Sequence, residues 1–404
     1  MSECNAALNG GPSRALRQLV SLKTRRKIGS FFSSFELAGK AVDEACLVKA
    51  GLLYDPSCGG GDLLLAAARQ LRVRRGLCET VRWWGTRIGG RDVHPEFVRT
   101  TKARLLLLAR KRTSDEAPLE QDLAEAAFPR IEIGDGPDAA SGVANVRSLL
   151  VNPPFHLINA PKRCTWATGR VNAAAVFLER LLVSAATGTR LTAILPEVLR
   201  TGARYERWRQ SIGCLLEIHG IDSYGLFDNA TDVHVFVLRG TVIKRQSLVA
   251  TTWWKVRAHR TQTVSDCFDV HVGPVVPHRD ANKGPLVGYI HARSVPRWTR
   301  TFIATETRRF QGTLFQPPFV VIRRTSRPED RYRAVGSVVT GPTQIAVENH
   351  LIVCIPKDGT IRGCVKLIKG LKTSAANEFV NERMRCRHLT VGAVCELPLP
   401  TDRD

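Results

Sequence analysis

The chain has 404 residues, enough for two domains with buried cores, and its 44% content of hydrophobic residues excludes wholesale disorder. Its formal net charge of +22 predicts a polyanionic partner, because Lys and Arg side chains bind phosphate. A membrane is the less favoured polyanion, since no apolar run could span a bilayer and no signal-peptide pattern is present. We therefore expect a cytoplasmic protein.

The eleven cysteines show no pattern of a metal site or a disulfide framework. Their number is odd, they are scattered, and no two of them form a Cys-X-X-Cys pair. Cys386 and His388 lie close together, but no matching second pair exists. The sequence therefore predicts reduced thiols and no bound metal.

The N-terminal part predicts a basic arm followed by a helix. Residues 1–28 end in the basic run Lys23–Lys27 and lack a clear apolar pattern. After the aromatic segment Phe31–Phe35, apolar residues recur at helical spacing, and Ser33 or Ser34 is a suitable N-cap.

A buried strand, a glycine turn and an apolar helix follow. The strand ends at Asp55, the turn runs from Pro56 to Gly61, and Leu63 begins the helix. The turn has neither the Gly-Lys-Ser/Thr of a Walker loop nor the glycine spacing of a dinucleotide site. An acidic residue before such a turn would repel a pyrophosphate, but it suits a cationic ligand. A simple glycine turn remains the weaker alternative.

Three further strands also end in polar residues. Asp92 ends the second predicted strand, Asp135 follows the third (Ile131–Ile133), and Asn152 follows the fourth (Ser148–Val151). Strands that alternate with helices predict a doubly wound parallel sheet, in which ligands bind at the carboxyl ends of the strands. The remaining predicted elements of this part are a helix that begins at Pro95, helices at Ala173–Leu182 and Tyr205–Ile212, and strands at Leu191–Pro196, Ile218–Ile221 and Val233–Leu238.

The end of the fourth strand is unusual, because Asn152 is followed by Pro153, Pro154 and Phe155. Two prolines end a strand, since neither can donate to the sheet, and they hold the neighbouring amide and ring rigidly. On its own, an ordinary strand end with an asparagine turn is an equally good interpretation. Phe227 lies in a predicted loop, Tyr224–Asp228, and its residue pattern favours a core position.

The four polar strand ends fit one ligand better than others. Asp55 would face an amino-acid part, Asp92 a ribose and Asp135 an adenine amino group. S-adenosylmethionine (AdoMet) has these parts together with a reactive sulfonium methyl group. The residues therefore predict AdoMet as the cofactor.

From about residue 243 onward, short β-like runs and arginines replace the alternation of strands and helices. Such runs occur at Val270–Gly273, Pro318–Arg324 and His350–Cys354, and a late helix is predicted over residues 374–387. We predict three segments: a basic arm at 1–28, an α/β domain at 29–243, and a mixed, β-rich domain at 244–404.

Residues 29–243 resemble the gamma-class N6-adenine DNA methyltransferases of type II restriction-modification systems. The glycine turn from Asp55 to Gly61 matches the AdoMet turn of that family, and Asn152–Phe155 matches its catalytic box. Its upstream element resembles Phe32-Ser33-Ser34, with serines in place of Thr-Pro. The resemblance implies an α/β, Rossmann-like class I AdoMet-dependent methyltransferase sheet with helices on both faces. It also implies a target-recognition domain after the box.

The resemblance assigns roles to individual residues. It implies that Asn152 to Phe155 are catalytic, and that Phe155 and Phe227 stack on the target base, against the core interpretation of Phe227. It also implies a set of cofactor-binding residues, which includes the catalytic asparagine: Phe32, Ser33, Asp55, Pro56, Cys58, Gly59, Gly61, Asp92, Val93, Asp135 and Asn152.

The expected partner is double-stranded DNA, in a bacterial, nucleoid-associated setting, and a cognate restriction endonuclease is a candidate second partner. The candidate DNA contacts are basic residues of the C-terminal part: Arg308, Arg309, Arg323, Arg324, Arg327, Arg331, Arg333, Arg383, Arg385 and Arg387. Two alternatives remain open. One is a methyltransferase for RNA adenine or another amino group, and the other is a non-catalytic DNA-binding specificity subunit.

Overall fold

A computed structural model describes residues 3–12, 15, 34–42, 51–116, 122–136, 146–227, 233–245, 252–254 and 262–399. The chain divides into two compact units, Met1–Trp253 and Trp254–Asp404. The division falls about ten residues after the boundary that the sequence predicts. The predicted basic arm lies mostly outside the described residues.

The first unit contains a seven-stranded sheet, a two-stranded hairpin and helices. Its described helices are α1 (Glu3–Leu8), α2 (Phe35–Ala41), α3 (Asp62–Ala68), α4 (Gly76–Gly85), α5 (Pro95–Thr113), α6 (Leu123–Ala127), α7 (Ala173–Ser184), α8 (Glu197–Thr201) and α9 (Glu206–Leu215). Its described strands are β1 (Leu52–Asp55), β2 (Ile88–Asp92), β3 (Ile131–Ile133), β4 (Val146–Val151), β5 (Leu157–Asn159), β6 (Arg170–Asn172), β7 (Arg190–Pro196), β8 (Leu216–Leu226) and β9 (His234–Val242).

The strands of the large sheet follow the order β3-β2-β1-β4-β7-β9-β8. Strands β1 to β4 and β7 pair in parallel, whereas β9 pairs antiparallel with both of its neighbours. The order reverses between β1 and β4, which makes this the topological switch point of a doubly wound sheet. The predicted α/β, Rossmann-like sheet is confirmed.

Local sequence explains the elements that lead into the site. The residues of β4 after Arg147 are all buried, which suits a central strand covered on both faces. Pro95 occupies the first turn of α5, where its missing N–H is not needed. Ser34 caps α2 by accepting the N–H of Leu37 at 3.1 Å.

Strand β8 and the β5–β6 hairpin differ from the prediction, and helices α1, α4, α6 and α8 were not predicted. Strand β8 continues to Leu226, so most of the segment predicted as a loop pairs with β9 as part of an edge strand. The β5–β6 hairpin was not predicted, because each of its strands has only three residues. Pairing with a neighbouring strand fixes both features, and a single segment carries little signal for it.

The second unit is β-rich. Its described strands are β10 (Phe268–Val272), β11 (Leu286–Ile290), β12 (Glu306–Arg309), β13 (Phe319–Arg323), β14 (Gly336–Val339), β15 (Ile345–Val347) and β16 (Leu351–Pro356). Its described helices are α10 (Val264–Cys267), α11 (Ile361–Leu371), α12 (Ser374–Arg383) and α13 (Val391–Cys395).

The sheet β10-β16-β13-β14 is the middle layer of this unit. On one face, Val320 and Ile322 pack with helix residues such as Leu367 and Val380. On the other face, Phe319 and Val321 pack with residues of the sheet β12-β11-β15. This alternation along β13 is the period of two that a strand buried on both faces requires. The prediction of a mixed, β-rich part is confirmed.

One predicted helix of this unit needs correction, and another helix was not predicted. Helix α12 ends at Arg383 rather than near residue 387, and α11 precedes it without having been predicted. The Pro-Pro-Phe sequence that ends at Phe319 lies in the core, with Phe319 fully buried in β13.

Candidate active site

The carboxyl ends of β1 and β4 lie side by side at the switch point of the sheet. Asp55 ends β1, and Asn152 follows β4 directly. We call the segment Asn152–Phe155 the proline box. The hydroxyl of Ser57 donates a hydrogen bond of 3.3 Å to the main-chain oxygen of Asn152, so the glycine turn and the proline box are in direct contact. Open α/β sheets bind their ligands at this position.

Asp55 is 1% exposed, and its carboxylate accepts the main-chain N–H of Ser57 at 2.9 Å. Burial raises the pKa of Asp55 to about 8, the Ser57 hydrogen bond opposes this rise, and the nearby carboxylates of Asp92 and Asp62 add to it. A group that holds its proton only because water and a counter-charge are missing would ionise readily beside a cation.

The turn after β1 depends on glycine. Gly59 and Gly61 have φ angles of +52° and +83°, which lie in the left-handed region that side chains disfavour. A Cβ atom on Gly61 would lie 2.8 Å from the side chain of Thr101. The Thr101 hydroxyl in turn donates to the Gly59 carbonyl at 2.9 Å, so α5 supports the turn.

Arg104 stabilises the turn through hydrogen bonds and an ion pair. Its guanidinium donates to the carboxylate of Asp62 at 2.9 Å and to the carbonyl of Gly60, and both charged side chains are buried. It also donates to the carbonyl of Ala7 at 3.0 Å, which connects α1 to the same support. A buried ion pair with these additional bonds fixes the turn in one conformation.

Asp92 lies at the end of β2, next to the turn. One carboxylate oxygen accepts the N–H of Gly59 at 3.0 Å, and the other accepts the N–H of His94 at 2.9 Å. Burial raises the pKa of Asp92. The following residue, Val93, is 55% exposed. The structure thus brings the second acidic residue to the turn, and its predicted contact with a ribose stays a prediction.

The third acidic residue is exposed beside the same turn. Asp135 lies at the surface, and the neighbouring Gly136 packs so tightly that a Cβ atom would be 1.8 Å from the carbonyl oxygen of Pro56. Cys58 is buried, and its main-chain N–H donates to the carbonyl of Arg91 at 2.8 Å. Its predicted contact with the cofactor stays a prediction.

The proline box contributes one amide and one aromatic ring, and the ring of Phe227 lies beside it. Asn152 is half-buried and Pro153 is buried. Phe155 is 7% exposed, and its ring lies edge-on to Phe227 with 5.6 Å between the centroids. Phe227 is 2% exposed, in keeping with the core position that its pattern favours. The two predicted stacking residues are therefore neighbours.

Asn172 supports the end of the box. Its side-chain nitrogen donates to the carbonyl of Phe155 at 2.9 Å, and its side-chain oxygen accepts the N–H of Ala174 at 3.0 Å, which caps α7. Its own N–H donates to the hydroxyl of Tyr205 at 2.9 Å. Asn172 was not among the predicted site residues, although an asparagine before an alanine-rich helix is an N-cap signal.

Other supporting residues also escaped the sequence analysis. Ser57 contacts Asn152, and Thr101 and Arg104 contact the turn, through hydrogen bonds between residues 42 to 95 positions apart, so local patterns could not identify them. The predicted contacts Phe32 and Ser33 lie outside the described residues.

The candidate arginines of the second unit fall into two groups. Arg309, Arg327 and Arg331 are exposed, whereas Arg308, Arg323, Arg324, Arg385 and Arg387 are half-buried. The N–H of Ser326 donates to the carbonyl of Arg387 at 2.9 Å, so the segments that carry Arg327 and Arg387 adjoin. Their predicted contacts with DNA stay predictions.

Two arginines of the set were assigned wrongly. Arg333 is 1% exposed, and its guanidinium donates to Ser326, Asn381 and two main-chain carbonyls, so it stabilises the fold. Arg383 is buried between an ion pair with Glu396 at 2.7 Å and the ring of Trp254. Neither guanidinium is available to a phosphate.

Within the described ranges, no group of three or more His, Cys, Asp or Glu side chains is arranged to hold a metal ion. Over the same ranges, none of the helices combines the length and the apolar character needed to cross a bilayer.

No protein-family model and no curated protein matches this chain. Among solved structures, a modification subunit assigned to a type I restriction enzyme from Vibrio vulnificus YJ016 shares 17% identity, with a TM-score of 0.41 over 57% of this chain and 47% of that one. The M protein of the type I restriction enzyme EcoKI shares 16% identity, with a TM-score of 0.40 over 53% of this chain and 44% of that one.

The type IIG restriction endonuclease BpuSI shares 14% identity, with a TM-score of 0.44 over 95% of this chain and 60% of that one. This chain thus covers less than two thirds of each of the three proteins. The likeness concerns the fold only.

Proposed function

We propose that this chain is a site-specific DNA methyltransferase that transfers a methyl group from AdoMet to the N6 amino group of adenine in duplex DNA. The observation that carries the proposal is the contact between the two motifs. Asn152 follows β4 beside the switch point, and Ser57 of the acidic glycine turn donates to its main-chain oxygen at 3.3 Å. Cofactor and acceptor would thus meet at one edge of the sheet.

The chemistry of the turn suits AdoMet. Asp55, Asp92 and Asp135 provide carboxylates for a cation, a ribose and an amino group in the order of the strands β1, β2 and β3. Left-handed glycines let a ligand approach the backbone closely, as Gly59 and Gly61 would here. When bound, AdoMet supplies a methyl group made electrophilic by its sulfonium.

The box would prepare the acceptor. The lone pair of an adenine amino group is delocalised into the ring, which makes the nitrogen a poor nucleophile. If the side-chain oxygen of Asn152 and the carbonyl of Pro153 accept its two hydrogens, the lone pair turns toward the methyl group. Rigid acceptors need no reorganisation during the reaction, and Pro153 and Pro154 provide that rigidity. In a direct in-line displacement the N–C bond would form as the C–S bond of the sulfonium breaks, the thioether would leave, and the methylated nitrogen would lose one proton to water.

Phe155 and Phe227 would hold the extruded base. Flipping a base out of a duplex costs a few kcal/mol, and stacking on an aromatic ring returns about 1–3 kcal/mol. A base between two parallel rings needs about 7 Å, twice the usual carbon contact of roughly 3.5 Å. The rings are 5.6 Å apart and edge-on, so Phe227 must turn or move to admit a base.

The test offers labelled AdoMet to duplex DNA, tRNA and rRNA and analyses the labelled nucleosides by mass spectrometry. We expect N6-methyladenine in DNA, and Asn152→Ala should lower kcat by about 10²–10³-fold, the usual loss for one preorganised hydrogen-bonding group. Gln210→Ala removes an exposed amide on α9 and should leave kcat unchanged.

The alternatives give different results in the same assay. Label in RNA alone would contradict the proposal and support an RNA methyltransferase. DNA binding without any methyl transfer, equal in the parent and in Asn152→Ala, would support a non-catalytic specificity subunit. A cognate restriction endonuclease stays a prediction from the resemblance.

A further inference from the structure

The β5–β6 hairpin continues directly from the proline box. Leu157 begins β5 two residues after Phe155, and β6 ends at Asn172, which donates to the Phe155 carbonyl at 2.9 Å. The main-chain N–H of Ala173 also donates to the carbonyl of His156 at 2.8 Å. Both ends of the hairpin are therefore attached to the box. We call residues 160–170, with Arg204, the basic loop.

The basic loop is held in place by a buried tryptophan. Trp166 donates from its indole nitrogen to the carboxylate of Glu179 at 2.7 Å, and its ring lies 5.8 Å from that of Tyr205. Tyr205 accepts the N–H of Asn172 at 2.9 Å, so the loop, the hairpin and the box form one bonded network. The loop is also closed at its base, because the N–H of Ala160 donates to the Gly169 carbonyl at 2.7 Å.

The charge of this segment has one sign. Residues 139–178 contain no Asp and no Glu, whereas Lys162, Arg163 and Arg170 are exposed basic residues. The exposed Arg204 joins them, because its guanidinium donates to the Thr168 carbonyl. Over the part of the chain that the structure describes, none of these four cations forms an ion pair with a carboxylate.

A group of exposed cations that form no ion pair within the described residues suits the phosphates of a nucleic acid. Lys162 follows Phe155 by seven residues, so at most roughly 25 Å of chain separates them. One DNA strand rises 3.4 Å per nucleotide, which places the loop within a few nucleotides of a base held at Phe155. Contacts to phosphate fix the register of a protein on DNA without reading its sequence.

We infer that the basic loop binds the phosphates of duplex DNA beside the target base and so positions that base for the box. This inference rests on the proposed function. DNA contacts would then lie in the first unit as well, whereas the arginines that the sequence predicts to contact DNA all lie in the C-terminal part.

The test measures binding of a fluorescent DNA duplex to the full-length protein at a series of salt concentrations. Each lost phosphate contact lowers the slope of log K against log salt by about 0.9, so Lys162→Ala with Arg163→Ala should lower it by about 1.8 and weaken binding at least tenfold near 0.1 M salt. In the methylation assay the loss should appear in KM for DNA and not in KM for AdoMet. Arg130→Ala, at an exposed residue directly before the edge strand β3, is the matched control.

A second variant separates a local effect from a general one. Charge reversal, Lys162→Glu with Arg163→Glu, should weaken binding further while the melting temperature stays the same. If the parent protein binds and methylates DNA but both variants keep its slope and affinity, the inference is overturned and the proposed function stands. Equal weakening of RNA and duplex DNA binding would also overturn it. A parent protein that methylates no DNA would contradict the proposed function instead.

Discussion

The carboxyl of Asp55 is buried at the end of β1, and burial raises its pKa from 3.8 to about 8. Below pH 3.8, the folded and the unfolded protein both hold this proton. Between pH 3.8 and about 8 only the folded protein holds it, so the contribution of Asp55 to the free energy of unfolding decreases as pH rises. A cationic ligand would favour the ionised form and release the proton.

We therefore expect AdoMet to bind more tightly as pH rises from 6 to 8, by at most about tenfold per pH unit, with no further gain above pH 8. Asp55→Asn should bind AdoMet at least tenfold more weakly and without this pH dependence. The same variant should melt at a higher temperature at pH 8, because a neutral amide can still accept the Ser57 N–H.

Calorimetric titration gives the affinities and the released protons, and thermal unfolding gives the stability. Glu217→Gln, which changes an exposed carboxylate on β8, should behave like the parent in both. An affinity of the parent that stays constant from pH 6 to 8 would mean that the Asp55 carboxyl does not meet a positive charge.

Single residues were predictable where their function depends on local sequence. The ends of β1, β2 and β4 follow from apolar runs that stop at Asp55, Asp92 and Asn152, and the structure brings these residues to one edge of the sheet. Burial of a charged side chain leaves no such signal. Arg333 looks like its exposed neighbour Arg331 in the sequence, yet its hydrogen-bond partners Asn381 and Cys386 are about fifty residues away.

At the level of elements, the position of the box depends on where α7 begins. Asn172 caps α7 through Ala174 and holds the Phe155 carbonyl with the same side chain. Asn172→Ala should lower the free energy of unfolding by about 1–2 kcal/mol, the usual loss for an N-cap. It should also lower kcat, since the box loses its support, while KM for AdoMet stays close to that of the parent.

Asn172→Ser separates the two roles of this side chain. A serine hydroxyl can cap the helix, but it cannot also donate to the Phe155 carbonyl as the longer amide does. The melting temperature of the serine variant should return toward that of the parent, and kcat should remain low. Recovery of kcat together with stability would mean that Asn172 acts only as a cap.

The elements that the sequence predicted best are those that are buried on both faces or carry a cap signal. Strands β4 and β7 and helix α7 appear within a few residues of their predicted bounds. Strand β8 was predicted too short, because its exposed polar residues hide its pairing with β9 along the edge of the sheet. Such pairing depends on residues distant in sequence.

For the whole molecule, the charge is distributed between the two units. Residues 254–404 carry half of the formal net charge of +22 on little more than a third of the chain. That charge has two distinct uses, since Arg333 holds loops together in the interior while Arg331 lies at the surface over the ring of Tyr332. Burial lowers the pKa of Arg333 to about 10, so it stays protonated at neutral pH.

These two neighbouring arginines provide a matched test of which charges serve DNA. Arg331→Ala should lower the slope of log K against log salt by about 0.9 if Arg331 contacts a phosphate, and change stability by no more than about 0.5 kcal/mol. Arg333→Ala should lower the free energy of unfolding by about 3 kcal/mol, because four buried hydrogen bonds lose their donor. Thermal unfolding and salt-dependent binding to one DNA duplex measure both effects. An unchanged slope for Arg331→Ala would contradict a phosphate contact at Arg331. Arg309 and Arg327, the other exposed members of the set, would then be the remaining exposed candidates.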